Sequence, residues 1–404
     1  MEYSAIKTTN QRKRCLSPNK ILLATLCVIG MAMIATMLRG TTGHLRGLSV
    51  PKQITSGRNA FLRTQSISPH LTNLASLTNR VQTMVPHNRE QMFSTRPEQV
   101  SCKSTITAGD TQQQTKTKRP VDTTELVVMT GGGSGIGQAA TIRLAQRGAT
   151  VLIVGRTEDK LVGTQQMAKE MGLKGSVEIV GADVTCQEGR DKIVEKVMQL
   201  RDEKGAVLRT IVHNAGVNTP CKPMMEISEK EWNFVNSVNV NGPLFLTQAL
   251  RSLYGTTETE KNRLILLGSV ARQCKGLPNY GPYAITKLTL YGLNLMLQEE
   301  LPDSEHPVQV ASLIPGEVDT DMQRETAYNS ADAFPDHLVE YWQKIQETGQ
   351  LLPPEVTGAF MEYVIFDAPP ENFPEEWFIY DESHHKDWAY EFPDVDIVEP
   401  EGLK

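Results

Sequence analysis

The stretch ELVVMTGGGSGIGQ, residues 125–138, decides the fold. Its apolar run reads as a buried strand, the glycine-rich turn follows at Thr130, and an amphipathic stretch with Ile142 and Leu144 continues to Arg147. Strand, glycine turn and helix in this order form a nucleotide-site signature, which a glycine count alone does not. A tight turn needs positive φ, which glycine adopts cheaply. The main chain must also approach a pyrophosphate without a Cβ in the way, so that the free N–H groups at the helix start attract the phosphates. The spacing is Thr130-Gly131-x-x-x-Gly135-x-Gly137, wider in its first gap than GxGxxG.

Strands and helices alternate from there. Further strands are expected at 149–154, 176–180, 208–212, 263–267 and 309–314, with one helix over 228–253 and another from Tyr283 to about Leu301. This alternation predicts an α/β fold with a doubly wound parallel sheet. The second strand ends in Gly155-Arg156, where an NAD enzyme would carry an acid for the ribose 2′-hydroxyl. An arginine there pairs instead with a 2′-phosphate, so Arg156 predicts NADP(H).

Later motifs extend the pattern. His213-Asn214-Ala215-Gly216 follows the fourth strand, Asn239 and Gly242 lie within the long helix, and Ser269 follows the fifth strand. Tyr283 and Lys287, four residues apart, share one helical face. Together with the glycine loop these residues resemble the short-chain dehydrogenase/reductase family, with its TGxxxGxG, NNAG, Asn, Ser and YxxxK motifs, over residues 122–381. The resemblance implies a Rossmann-type catalytic domain. Cofactor contacts are implied at Thr130, Gly131, Gly133, Ser134, Gly135, Ile136, Gly137, Arg156, Asp183, Val184, Asn214, Ala215 and Gly216. The PGxVxT-like segment adds Pro315, Gly316, Val318 and Thr320. Tyr283 and Lys287 serve both cofactor and chemistry, and Ser269 and Asn239 complete the implied catalytic set. Tyr283 would be the proton donor, with Lys287 lowering its pKa; Ser269 would hold the substrate oxygen, and Asn239 would lead a water relay to Lys287. His213 stands where the family has its first Asn and is expected to make a structural hydrogen bond. Ser269 precedes Tyr283 by fourteen residues, one more than the family's commonest spacing, and the extra residue is placed at 272–279. Asp183 could also cap the helix expected at 185–200.

Residues 315–381 resemble the sepiapterin and benzil reductase branch, through Asp319-Thr320-Asp321-Met322 and a terminal strand at 378–381. Phe378 stands where sepiapterin reductase has its pterin-anchoring Asp. Residues 326–350 could form a lid, with Ala333, Phe334, Leu338, Tyr341, Trp342 and Ile345 lining a pocket or packing its base.

Charge divides the chain. Residues 1–120 hold 17 Lys+Arg against 4 Asp+Glu, a balance of +13; the whole chain is −6, which leaves −19 for the rest. An acidic body repels phosphates, so no nucleic-acid partner is expected. Six scattered cysteines suggest neither metal site nor disulfide framework. Segment 1–20 is basic, and 21–38 is an uncharged apolar run long enough, at about 27 Å as a helix, to approach membrane thickness. Segment 39–120 is Ser-rich and acid-poor, as in a transit peptide or flexible stalk. A single-pass anchor or import into a plastid-like organelle is therefore expected. Residues 382–404 read as an acidic extension, packed on the body or a second subunit, or solvated. The expected function is NADPH-dependent reduction of a small carbonyl compound, or the reverse, in a possible homo-oligomer. A non-enzymatic NADP(H) sensor and a membrane-tethered scaffold are the alternatives.

Overall fold

The computed structural model describes residues 118–256, 261–302 and 304–401, all within one unit, Ala108–Lys404. The basic segment, the apolar segment 21–38 and the leader up to residue 117 lie outside the described residues. Among the described residues no helix is long and apolar enough to cross a membrane.

Seven strands form one parallel sheet in the order β3-β2-β1-β4-β5-β6-β7. They are β1 (Glu125–Thr130), β2 (Thr150–Gly155), β3 (Ser176–Gly181), β4 (Val207–His213), β5 (Asn262–Leu267), β6 (Val308–Ile314) and β7 (Glu376–Phe378). Side chains alternate across the sheet: Val127 and Met129 of β1 enter one core, Leu126 and Val128 the other. On the first face lie α1 (Gly135–Arg147) and the helix Pro354–Glu362; on the second lie α3 (Gln187–Lys204) and two further helices, α5 (Gly242–Leu250) and α6 (Gly281–Glu300). Helix α2 (Glu158–Glu170) joins the first face through Leu161 and Ala168, and α4 (Glu229–Asn236) precedes α5. After β6 come α7 (Asp336–Glu347) and then Pro354–Glu362, hereafter α8. Strand order reverses between β1 and β4, which opens a crevice beyond their carboxyl ends.

Three elements depart from the sequence expectation. The helix over 228–253 carries a widened π turn at Ser237–Asn241 between α4 and α5. A capping box of Ser228 and Glu231 starts it. The helix after β3 begins at Gln187, because Asp183 accepts from Thr185 N (2.9 Å) and Oγ1 (2.7 Å) and so closes a turn ahead of it. The last strand lies earlier than expected. Asp381 is drawn out of it by accepting from Ser383 N (2.9 Å), and the Tyr380 hydroxyl is bonded to Glu317.

The chain after β7 packs back on the first face. Trp388 is fully buried 5.1 Å from the Phe360 ring, and Trp388 Nε1 donates to His384 Nδ1 (2.9 Å).

Candidate active site

The glycine loop is shaped by contacts that exclude side chains. Gly131 and Gly135 have φ of +72° and +53°, the left-handed region. At Gly137 a Cβ would sit 2.3 Å from the Gly131 carbonyl oxygen, so α1 can approach the loop only with glycine there. Thr130 lines the adjoining cavity and also holds two strand ends together. Its buried hydroxyl accepts from the main-chain N–H of Asn214 and Ala215, both at 3.1 Å. Asn214 Nδ2 returns a bond to the Thr130 carbonyl at 2.9 Å. These bonds lock the ends of β1 and β4 together across the switch point.

Around this clamp lies a cavity of about 420 Å³. It is lined by Gly131, Gly133, Ser134, Gly135 and Ile136 of the loop, and by Asp183, Val184, Ala215 and Gly216 from the neighbouring strand ends. Thr320 closes it, its Cγ2 within 3.2 Å of where a Gly135 Cβ would be. Arg156 and Lys160 are the two cations of its wall. Arg156 is exposed, its guanidinium 5.9 Å from the Phe234 ring centre. The residue ending β2 is Gly155, so no carboxylate stands there. A narrow floor, main-chain donors and a cationic rim fit an extended dinucleotide bearing phosphates.

A second lobe of about 160 Å³ shares Asn214, Gly216, Leu267 and Thr320 with the first. Ser269, Tyr283 and Lys287 all line it, together with Pro315, Gly316 and Val318. Ser269 caps the turn after β5, accepting from Ala271 N (3.2 Å). Cys274, Gly276 and Asn279 take positive φ, which accommodates the additional residue between Ser269 and Tyr283. Lys287 is buried and donates to the Leu267 carbonyl (2.6 Å), with its nitrogen 5.5 Å from the Tyr283 ring centre. Burial pushes Lys287 down to about 8.

Tyr283 differs from the sequence expectation. Burial raises its hydroxyl pKa, and the opposing influence is the hydrogen bond from Ser269 rather than Lys287. Burial thus favours the neutral phenol, and Lys287 is held on the Leu267 carbonyl. Asn239, buried in the π turn, donates to Val217 O (2.8 Å) and Thr286 Oγ1 (2.9 Å) and accepts from Val217 N (2.9 Å). It fixes the loop after β4, and a Cβ on Gly216 would touch both Asn239 Oδ1 (3.4 Å) and Lys287 Nζ (4.0 Å). Such widened turns recur at functional sites. His213 makes the structural bond expected of it, 2.8 Å to Thr247 Oγ1, and burial pushes it down to about 3.

Of the lobe's outer wall, sequence reasoning named Phe334 and Trp342 but missed Tyr280 and Asn218. Tyr280 lies 4.9 Å from the Tyr283 ring, and Phe334 and Trp342 pack edge-on at 4.8 Å beside it. Asn218 Nδ2 donates to the Tyr280 hydroxyl (3.1 Å) and to Thr326 Oγ1 (2.7 Å). Trp342 both lines the lobe and packs with Leu338 and Ile345, so the two readings of the segment after residue 326 describe two faces of one cluster. Glu317 was visible only as the variable position of PGxVxT, and only its burial marks it.

The family model for short chain dehydrogenases matches residues 125–331. An uncharacterized oxidoreductase of Staphylococcus aureus is 31% identical over 210 residues, 52% of this chain and 84% of the relative. The uncharacterized oxidoreductase YciK of Escherichia coli is 30% identical over 233 residues, 56% of this chain and 83% of its own. A solved short chain dehydrogenase from Shigella flexneri, complexed with NADP, is 25% identical with a TM-score of 0.50, covering 63% of this chain and 95% of that one. A yeast short chain dehydrogenase/reductase at 20% identity and TM-score 0.57 covers 65% of this chain and 99% of that one, a likeness of fold alone. The chain belongs to the short chain dehydrogenase family and is an oxidoreductase by kinship.

Proposed function

We propose that this protein is an NADP(H)-dependent carbonyl reductase with Tyr283 as proton donor, Ser269 and Lys287 as its partners, and Asn239 as a positioning residue. The observation that carries the reading is the convergence of Ser269, Tyr283 and Lys287 on a small lobe that opens from the larger cavity. A bound nicotinamide dinucleotide supplies or accepts the hydride. The loop amides from Gly131 to Gly137 would hold its phosphates, Arg156 and Lys160 would hold a 2′-phosphate, and Asp183 and Val184 would flank the adenine end. Pro315, Gly316, Val318 and Thr320 would close over the other end. The Shigella relative's complex with NADP agrees with this preference.

In the reduction direction negative charge grows on the substrate oxygen. The Ser269 hydroxyl donates a hydrogen bond to that oxygen, and the Tyr283 hydroxyl transfers its proton to it. Burial favours the protonated phenol, so the acid is loaded before substrate arrives. The phenolate left behind faces Lys287, whose ammonium stabilises it electrostatically. Apolar side chains of Ile136, Leu267, Leu277 and Trp342 share the lobe wall with Asn214, Gln323, Thr326 and a single carboxylate, and the limited access of water strengthens each of those interactions. The test is initial-rate measurement on a panel of small ketones and alcohols with NADPH and with NADH. Turnover with a preference for NADPH supports the proposal, and no turnover with either dinucleotide contradicts it.

A further inference from the structure

The small lobe has one acid and one cation among its lining residues, Glu317 and Lys287. Glu317 follows Gly316, whose φ of +79° turns the chain out of β6. A Cβ on Gly316 would lie 2.6 Å from the Tyr380 hydroxyl, so glycine admits that tyrosine. Tyr380 Oη donates to Glu317 Oε2 (2.9 Å) and accepts from Glu317 N (3.1 Å), which pins the carboxylate in place. Its remaining donor is its own main chain; among the described residues no cation is paired with it. Burial pushes the Glu317 carboxyl up, and Glu399, from the segment after β7, adds a smaller like-charge effect in the same direction. A carboxylate taken from water without a cation costs several kcal/mol. The fold therefore holds a carboxyl group without a paired cation in the wall of its reaction chamber, where a cationic ligand can complete the pair. Two aromatic rings, Tyr280 and Trp342, line the same chamber and also favour a cation.

We propose that Glu317 is a specificity-determining residue, and that the substrate is a small carbonyl compound carrying a protonated amine, whose ammonium pairs with Glu317 while its carbonyl oxygen meets Tyr283 and Ser269. This rests on the reductase reading given above.

The experiment compares 3-piperidone and 4-piperidone with cyclohexanone, rings of equal size that differ by one basic nitrogen. The full-length chain is assayed with dinucleotide, as wild type, Glu317→Gln and Glu317→Asp. The expected result is a kcat/KM preference of tenfold or more for at least one piperidone, reduced to near one in Glu317→Gln and partly kept in Glu317→Asp. Equal turnover of amine and carbocycle by wild type, or an unchanged preference in Glu317→Gln, overturns the assignment. Saturation-transfer NMR of 4-piperidone with the dinucleotide-loaded protein separates the two readings. If no ketone of either charge is turned over, the reductase reading fails. Glu317 is then judged by binding alone: saturation in wild type that is lost in Glu317→Gln supports the amine site, and none in wild type, or no change in the variant, refutes it.

Discussion

At the carboxyl ends of β4 and β5 and on the helix facing them, ionisable groups are buried singly, whereas at the amino ends of the strands most of the buried acids are held in ion pairs. His213, Tyr283 and Lys287 each sit without an opposite charge, and burial displaces each toward its neutral form. At the other end Glu362 of α8 accepts from Lys118 (3.0 Å), Arg143 (2.8 Å) and Arg147 (2.7 Å). Arg147 also grips Asp367 (2.7 Å), and Arg119 pairs with Glu125 at the start of β1 (2.7 Å). Arg263 of β5 donates to the carbonyls of Val364, Ile365 and Ala368 and so caps the π turn Tyr363–Asp367 that follows α8. Pairing fastens α1, α8 and the chain before β1 to one another. Single burial leaves groups whose protonation a ligand can change. The same sheet thus separates adhesion from chemistry along its length.

Four substitutions break or sharpen that contrast. Tyr283→Phe removes the proton donor, and about a 10³-fold fall in kcat/KM is expected with the melting temperature little changed; steady-state rates beside thermal melts check it. Glu362→Gln acts at the opposite end. It leaves three cations facing a neutral group, and a loss of about 3 kcal/mol in urea unfolding is expected, with turnover per folded molecule retained. A comparable loss from Tyr283→Phe, or none from Glu362→Gln, would erase the distinction between the two ends.

His213→Asn tests single burial without touching chemistry. The folded-state value, about 3, lies below the ordinary 6.5. The unfolded chain therefore takes up a proton as pH falls past about 6.5 that the folded chain refuses. The stability in question is fully present above that pH and is lost toward pH 3, at about 1.4 kcal/mol per unit. Urea melts at pH 7 and pH 4.5 should show a shallower acid loss in the variant, by roughly 2.5 kcal/mol. An unchanged slope would mean that His213 is already charged. Arg156→Glu gives the smallest expected effect, about tenfold in the NADPH-to-NADH ratio of kcat/KM, because the side chain is exposed and its pairing screened. A ratio that does not move would remove Arg156 from the cofactor site.

How much of this was legible beforehand follows the same division. The first six strands and the glycine loop were readable because each rests on local pattern: apolar runs for buried strands, glycine where a Cβ cannot fit. Ser269, Tyr283 and Lys287 were readable as a resemblance, and the fold brings them to one lobe. The direction of the Tyr283 shift was not, since it depends on how much water the lobe excludes. Thr130 and Asn214 could be named, but their mutual clamp requires β1 and β4 to be neighbours. The Glu362 network joins residues more than two hundred positions apart and leaves no periodic trace in the sequence. Glu317 and Tyr380 are hidden for the same reason, since an acid and a tyrosine 63 positions apart carry no signal until the chain returns.

The most direct test of the central claim follows the hydrogen itself. NADPH fully deuterated at the nicotinamide C4 is incubated with the full-length protein and a ketone that it turns over, and the alcohol is examined by mass spectrometry and NMR. The account predicts one deuterium on the carbinol carbon with wild type, and about a thousandfold less labelled alcohol per unit time with Tyr283→Phe. Alcohol formed without deuterium on that carbon, or labelled equally fast by the variant, would contradict it.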